Sequence, residues 1–331
     1  MTIAAATRAV LPDYAPGFRR ALMRWFGKHG RDLPWRHTRD PYAILVSELM
    51  LQQTTVTAVI PYFERWMRRF PDVIKLAAAS ENDVLHAWQG LGYYTRARNL
   101  HAAAKRIARD GWPADLEQLP GVGRYTAKAI ATFAHDRAVP LVEANIARLL
   151  ARLTNYQFQI DNAAGVDHLW STAEALLPKQ NASRYNSALM DLGATICVSG
   201  MPRCNECPVR AFCTAVDPAS LPRKVARAST KRLIENHAYV RRNGSVLLEQ
   251  AQHRWRGMWI LPRLMARPAT AAIHRSEFPF THHKITLTVF NAAELPDNEQ
   301  HRWFTLSEVA TIPLPSPHRR ALDALLARAA A

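Results

Sequence analysis

The sequence predicts a mainly α chain that ends in a small α+β domain, and three observations carry that expectation. Apolar residues recur at helical spacing in successive segments from Pro16 to Cys197. Within that stretch, Leu119-Pro120-Gly121-Val122-Gly123-Arg124-Tyr125-Thr126-Ala127 sets two glycines two apart directly before a helical pattern, which reads as helix, hairpin, helix. Beyond His237 the apolar period changes from that of a helix to that of a strand.

The chain has 331 residues, enough for two or three domains and a large core. Its 43 Lys and Arg stand against 27 Asp and Glu, a formal charge of +16, so the expected partner is a polyanion, nucleic acid ahead of a membrane surface. No run approaches the roughly 18 to 20 apolar residues of a membrane span. Met1 to Gly17 lacks both the basic start and the apolar stretch of a secretion signal, and the expectation is a cytoplasmic, nucleoid-associated protein. All four cysteines fall between Cys197 and Cys213, where disulfide staples would be scattered; the clustering argues for one metal site in a reducing compartment.

Taking the elements in order, Phe18, Leu22, Trp25 and Phe26 define a first helix over Pro16–Lys28, ended by Gly27 and Gly30. Leu33-Pro34-Trp35-Arg36 reads as an extended, aromatic and basic loop, and Asp40-Pro41-Tyr42 starts the next helix with Pro41 in its first turn. In that helix Glu48 stands alone within Ile44-Leu45-Val46-Ser47-Glu48-Leu49-Met50-Leu51. An ionised carboxylate is costly there unless paired or used, and burial would raise its pKa, which makes it a candidate acid. Gln52-Gln53-Thr54-Thr55 closes the helix with side chains able to hydrogen-bond bases.

A helix over Val59–Phe70 follows, and Ser80 caps the next one. Gly90-Leu91-Gly92-Tyr93-Tyr94 repeats the pair of glycines before a helix with Arg96 and Arg98, so Gly90 and Gly92 form a second candidate anion contact beside Gly121, Gly123 and Arg124 of the hairpin. The helix after the hairpin runs to about His135. Glu143 falls in the first turn of a helix reaching Leu153, where the helix dipole favours a carboxylate for structural reasons alone. Further helices are expected over Val166–Leu177 and Tyr185–Cys197.

Cys197-x6-Cys204-x2-Cys207-x5-Cys213 suits zinc or a [4Fe–4S] cluster; the spacing is not that of a zinc ribbon and favours the cluster, stiffening a surface that Arg203 and Arg210 make positive. Asp217 to Asn236 is basic, lacks apolar periodicity and reads as a linker. Strands are expected at His237–Val240, Ser245–Gln250, Trp255–Pro262, Thr286–Phe290 and Arg302–Leu306, with a turn at Arg242-Asn243-Gly244 and a closing helix over Pro317–Arg328.

In this order, the hairpin motif, the Glu48 helix with Met50-Leu51-Gln52-Gln53-Thr54, Gly90-Leu91-Gly92-Tyr93-Tyr94 and the cysteine loop resemble the helix-hairpin-helix base-excision DNA glycosylases that carry an iron–sulfur cluster, and among them the MutY-type adenine DNA glycosylases. The resemblance covers Pro16 to Cys213 almost continuously. It implies a two-lobed glycosylase domain over 1–216, one lobe at about 31–140 and a cluster lobe at about 1–30 and 141–216, then a basic linker at 217–236 and a Nudix-like 8-oxoguanine recognition domain at 237–331. It also implies one [4Fe–4S] cluster on Cys197, Cys204, Cys207 and Cys213, and a monomer acting on double-stranded DNA that contains A:8-oxoguanine or A:G.

Carried over by position, the resemblance makes Glu48 the acid that protonates the adenine ring, sends Gln52 and Gln53 into the duplex, and lines the adenine pocket with Trp35, Arg36 and Asp191. Tyr125 and Asn145 would position the reacting nucleotide; backbone-cleaving relatives have a lysine where Tyr125 stands, and Lys128 one turn later replaces a residue that is usually small. Phe280-Thr281-His282 resembles the family's Phe-Ser-His signature, while the acid-rich Nudix hydrolase box is absent, so this domain is expected to bind and not to hydrolyse. The departure is Glu143-Ala144-Asn145 in place of Asp-Gly-Asn: the carboxylate that the resemblance implies stabilises the sugar cation, or attacks it, sits one methylene further out. Two other readings stay open, a glycosylase of the same fold acting on thymine in T:G or on a damaged purine, and a lesion-binding protein with impaired turnover.

Overall fold

The computed structural model describes residues 14–225 and 229–330; Met1–Asp13, which carry most of the reading on a secretion signal, lie outside it. In chain order the helices are α1 (Ala15–His29), α2 (Pro41–Leu51), α3 (Val56–Arg69), α4 (Val73–Ala78), α5 (Glu81–Ala87), α6 (Thr95–Asp110), α7 (Arg124–His135), α8 (Ala144–Leu153), α9 (Ala163–Leu176) and α10 (Ala182–Thr195). Strands β1 (Lys231–Tyr239), β2 (Arg241–Arg242), β3 (Ser245–Gln250), β4 (Trp259–Ile260), β5 (Arg263–Leu264), β6 (His274–Phe280), β7 (His283–Asn291) and β8 (His301–Thr305) follow, then α11 (Leu306–Thr311) and α12 (Ser316–Ala330). No helix among the described residues is long and apolar enough to cross a membrane.

The described chain forms two compact units, one of residues 14–52 with 112–225, the other of 53–111 with 229–330. In the first, Phe18 and Leu22 of α1 pack with Ile146 and Leu150 of α8, Leu169 of α9 and Tyr185, Leu189 and Leu192 of α10. Gly193 lets α10 approach the start of α8, since a Cβ there would stand 2.9 Å from the Asn145 Cβ and carbonyl oxygen. The Asp40 carboxylate caps α2 by accepting from the Tyr42 N–H at 2.9 Å, with Pro41 as its first residue. From Tyr42 to Met50 every residue is buried, so α2 has no solvent face. It packs against α7 and against a 3₁₀ turn over Pro34–Arg36. That turn, where an extended loop was expected, forms because Pro34 supplies a turn-compatible φ and the Arg36 N–H reaches the Leu33 carbonyl at 2.9 Å.

In the second unit, α4 and α5 lie on α6 over an aromatic core in which Trp66 meets Trp88 edge-on at 5.4 Å. Its sheet portion has one sheet in the order β5-β1-β7-β6, with β1 and β7 parallel, and a second in which β2, β4 and β8 pair with β3. Val246, Leu248, Ile285, Leu287, Val289 and Phe304 fill the core with Leu322 and Leu325 of α12. Gln89 accepts from the Leu314 N–H at 3.2 Å and Arg98 donates to the Arg256 carbonyl, tying helices to sheets within this unit.

Asn243 (φ 48) and Gly244 (φ 78) make the expected left-handed turn between β2 and β3. Strand β1 begins at Lys231, six residues inside the stretch read as linker; its first four residues are exposed, so no apolar alternation announces it. β6 was not expected either, and its Pro279 is tolerated because β6 lies at the sheet edge.

Candidate active site

Glu48 is the only carboxylate of helix α2, within its buried stretch, and it is 5% exposed. Burial pushes its carboxyl up to about 7; a hydrogen bond from the Tyr125 hydroxyl works against the rise, and the charge of Glu143 adds to it. Tyr125 comes from the second position of α7, directly after the hairpin, and α7 packs on α2. Burial, then the charges of Glu48 and Glu143, raise its phenol well above the usual range, so it remains a donor.

Glu143 reaches the same place from α8, of which it is the N-cap. Its Oε1 accepts from the Ile146 N–H at 2.8 Å, and its Oε2 from the Asn145 N–H at 2.8 Å and the Asn145 Nδ2 at 3.1 Å. Burial still raises its carboxyl, although those N–H groups and Arg148 oppose it. Glu143 is thus held as the N-cap of α8, and its charge reaches Glu48.

Asn145 is fixed in turn by Arg148, whose Nη2 donates to Asn145 Oδ1 at 2.9 Å and to the Gly193 carbonyl at 2.7 Å, while its Nε donates to the Cys197 carbonyl at 2.8 Å. One turn later Arg152, 2% exposed, donates to the carbonyls of Val198 (2.7 Å), Gly200 (3.0 Å) and Leu221 (3.0 Å), and to Cys197 Sγ at 3.4 Å. Neither arginine was singled out from the sequence, though two arginines four apart in the apolar run Ile146 to Leu153 are as conspicuous as Glu48 in α2.

The four cysteines are half-buried beside this pair. Burial pushes the Cys207 thiol up to about 11, the Val209 N–H opposes the rise, and the charges of Cys197, Cys213 and Cys204 add to it, so all four sulfurs lie within electrostatic reach. Among the described residues no three or more His, Cys, Asp or Glu side chains have the geometry to hold a metal ion. A four-iron cluster spreads its thiolates more widely than a single ion does. The donor set, with an Arg152 N–H aimed at Cys197 Sγ, fits a cluster.

Asp191 is fully buried and both oxygens are engaged: Oδ1 accepts from Arg31 Nε and Arg36 Nη2, each at 2.8 Å, and Oδ2 from the Arg31 N–H at 2.8 Å and Arg36 Nη1 at 2.9 Å. Burial alone would raise its carboxyl, and the two guanidiniums hold it below the usual range. Its part is to fix the Trp35-Arg36 turn. Gln52 and Gln53 are exposed at the end of α2, Gln53 with φ 57. Gly121 has φ 77, and Gly123 caps α7 with no neighbour within 4 Å of where a Cβ would stand. Gly90 (φ 107) lies against the Tyr62 hydroxyl, and the Gly92 carbonyl accepts from Trp88 Nε1 at 3.1 Å and Arg96 Nη2 at 3.2 Å. Thr281 and His282 are the exposed turn between β6 and β7; Phe280 before them lies 4.7 Å beneath the Arg254 guanidinium.

Residues 46–167, which hold the hairpin, Glu48, Tyr125 and Glu143, match the model of the HhH-GPD superfamily base excision DNA repair proteins. The adenine DNA glycosylase of Rattus norvegicus is 41% identical over 213 residues, covering 60% of this chain and 41% of that protein. The adenine DNA glycosylase of Buchnera aphidicola subsp. Baizongia pistaciae (strain Bp) is 33% identical over 261 residues, covering 75% of this chain and 74% of that protein. Among solved structures, a thermostable thymine-DNA glycosylase matches with a TM-score of 0.53 at 27% identity, over 61% of this chain and 98% of that one. The chain belongs to the adenine DNA glycosylase family.

Proposed function

We propose that the chain is a monofunctional DNA glycosylase that hydrolyses the N-glycosidic bond of adenine mispaired with 8-oxoguanine or guanine in duplex DNA. The observation that carries the reading is Glu48, a buried carboxyl that holds its proton up to about pH 7, beside Tyr125 and within reach of Glu143. Glu48 donates that proton to a ring nitrogen of the flipped adenine. The glycosidic bond then breaks with its electron pair leaving on the neutral base, and the Glu143 carboxylate stabilises the sugar cation left behind. Water adds to the anomeric carbon and gives its proton to the Glu48 carboxylate, which restores the acid. Tyr125 and Asn145 orient the two carboxylates, and Trp35 with Arg36 wall the base.

Cys197, Cys204, Cys207 and Cys213 would hold one [4Fe–4S] cluster, whose contribution is to stiffen the loop that Arg148 ties to Asn145. In the sheet portion, which would be a Nudix-like domain, Phe280, Thr281 and His282 would contact the 8-oxoguanine strand. With Tyr125 where backbone cleavage requires an amine, the product is an abasic site in an intact strand.

The test is single-turnover base release from A:8-oxoguanine, A:G, T:G and undamaged duplexes, with binding measured alongside. Adenine release confined to the first two supports the reading, and thymine release from T:G would overturn it in favour of the altered-base alternative. One observation favours a second reading, a lesion binder with impaired turnover: both Glu143 oxygens already serve as the cap of α8. Binding without release from any duplex would establish it.

A further inference from the structure

Arg124 opens α7 and Lys128 follows one turn later on the same face. Both side chains reach one residue of α9, Trp170: the Arg124 guanidinium carbon lies 4.0 Å, and Lys128 Nζ 5.2 Å, from its ring centroid. Neither cation is within 4.0 Å of a carboxylate among the described residues, and Asp167 and Glu174, which flank Trp170 at helical spacing on α9, pair with neither. Two like charges gathered on one ring repel each other, and the ring quadrupole offsets that only in part. An anion would complete the pair. Beside it the backbone is open, because Gly121 has φ 77 and Gly123 has nothing within 4 Å of a Cβ position.

We propose that Trp170 is a positioning residue that holds Arg124 and Lys128 as a two-cation clamp on one backbone phosphate of the DNA. The inference rests on the reading that duplex DNA is the partner. It gives Lys128 a role that the sequence left open, a phosphate contact and not an amine nucleophile. Trp170 touches no reacting atom; its ring keeps two flexible cations in one place before the DNA arrives.

The experiment measures affinity of the full chain for an undamaged duplex as a function of salt. Each neutralised phosphate contributes about −0.9 to the slope of log K against log salt. Trp170→Ala should flatten the slope by about that amount, Trp170→Phe should keep most of it, and Arg124→Gln with Lys128→Gln should reproduce the alanine variant without adding to it. A Trp170 that only packs would lower Tm and leave the slope unchanged. If Trp170→Ala fails to fold, the Arg124→Gln and Lys128→Gln pair decides alone. A wild-type slope in that double variant, or covalent borohydride trapping that Lys128→Gln abolishes, overturns the clamp. Absence of adenine release from wild type, with the slopes behaving as expected, would defeat the proposed activity and leave the clamp standing.

Discussion

Glu48 and Glu143 enter one site by opposite routes, and the contrast separates their tasks. On α2 the chain buries a carboxyl among apolar residues, so the neutral form is favoured to about pH 7 even though the Tyr125 hydroxyl donates to the charged form. At the start of α8 the backbone surrounds Glu143 with N–H donors at 2.8 Å, and Arg148 adds positive charge. Burial raises both carboxyls, but only the second is surrounded by donors that favour its charged form. Glutamate is not among the preferred N-cap residues, so its longer arm folds back to reach the same N–H groups that a shorter side chain would meet directly.

The largest effect should come from removing the mobile proton. Glu48→Gln keeps the shape and the Tyr125 contact but cannot donate, and base release should fall on the order of 1,000-fold in a single-turnover assay. In wild type, release should decline as pH rises through about 7, where Glu48 ionises. The stability effect has the opposite sign. A carboxyl whose folded pKa is raised from 4.5 to about 7 stabilises the fold fully below pH 4.5 and progressively less up to about 7. Glu48→Gln should therefore exceed wild type by about 3 kcal/mol at pH 8, with the gap closing below pH 4.5, as read by denaturant melts. Equal stability at pH 8 would mean that Glu48 is not held protonated by burial.

Glu143 should respond by a smaller factor. Glu143→Gln removes the charge facing the sugar cation and turns one cap acceptor into a donor, and release should drop about 100-fold while binding persists. If the site is tuned to the longer arm, Glu143→Asp changes the rate only modestly. If wild type is inert and Glu143→Asp with Ala144→Gly restores release, the comparison reverses, and Glu143 acts only as a cap.

Arg148 tests whether the cap depends on the cysteine loop. Arg148→Leu removes the donor to the Asn145 side-chain oxygen and the Gly193 carbonyl and leaves the Cys197 carbonyl with Arg152 Nη1 at 3.4 Å, a loss of about 2 kcal/mol in stability for a charged, partly buried hydrogen-bonding group. Unchanged melting with unchanged release would show that Glu143 is held by α8 alone.

Much of this contrast was legible before the structure, because its signals are local. A lone glutamate in an apolar run and a glutamate at a helix start each announce their setting, as do Asn243-Gly244 for their turn. What escaped depends on long separations. Arg148 and Arg152 work by donating to carbonyls 45 to 69 residues away, and Asp191 accepts from Arg36, 155 residues away. The grouping of 53–111 with the sheets rests on contacts such as Gln89 to Leu314, which no period encodes. Helix α11 is the exception, since its Thr305–Glu308 capping box is a local signal that went unread.

The smallest effect extends the comparison to the second unit. Thr281 has φ 50, a left-handed conformation that a β-branched residue adopts at a cost, and its hydroxyl donates to the Phe280 carbonyl at 2.8 Å in the exposed β6–β7 turn. Glycine would fit that backbone without strain. If Thr281 is kept for contact with the 8-oxoguanine strand, as Glu48 is kept for its proton, then Thr281→Gly should stabilise the sheet portion by about 0.5 to 1 kcal/mol. The same change should narrow the ratio of release rates on A:8-oxoguanine and A:G a few-fold, whereas Thr281→Ser, which keeps the hydroxyl, should hold the ratio. Greater stability with an unchanged ratio in both variants would leave the strain unexplained by recognition, and the contrast between a site that stores cost and a site that relieves it would then be confined to the two glutamates.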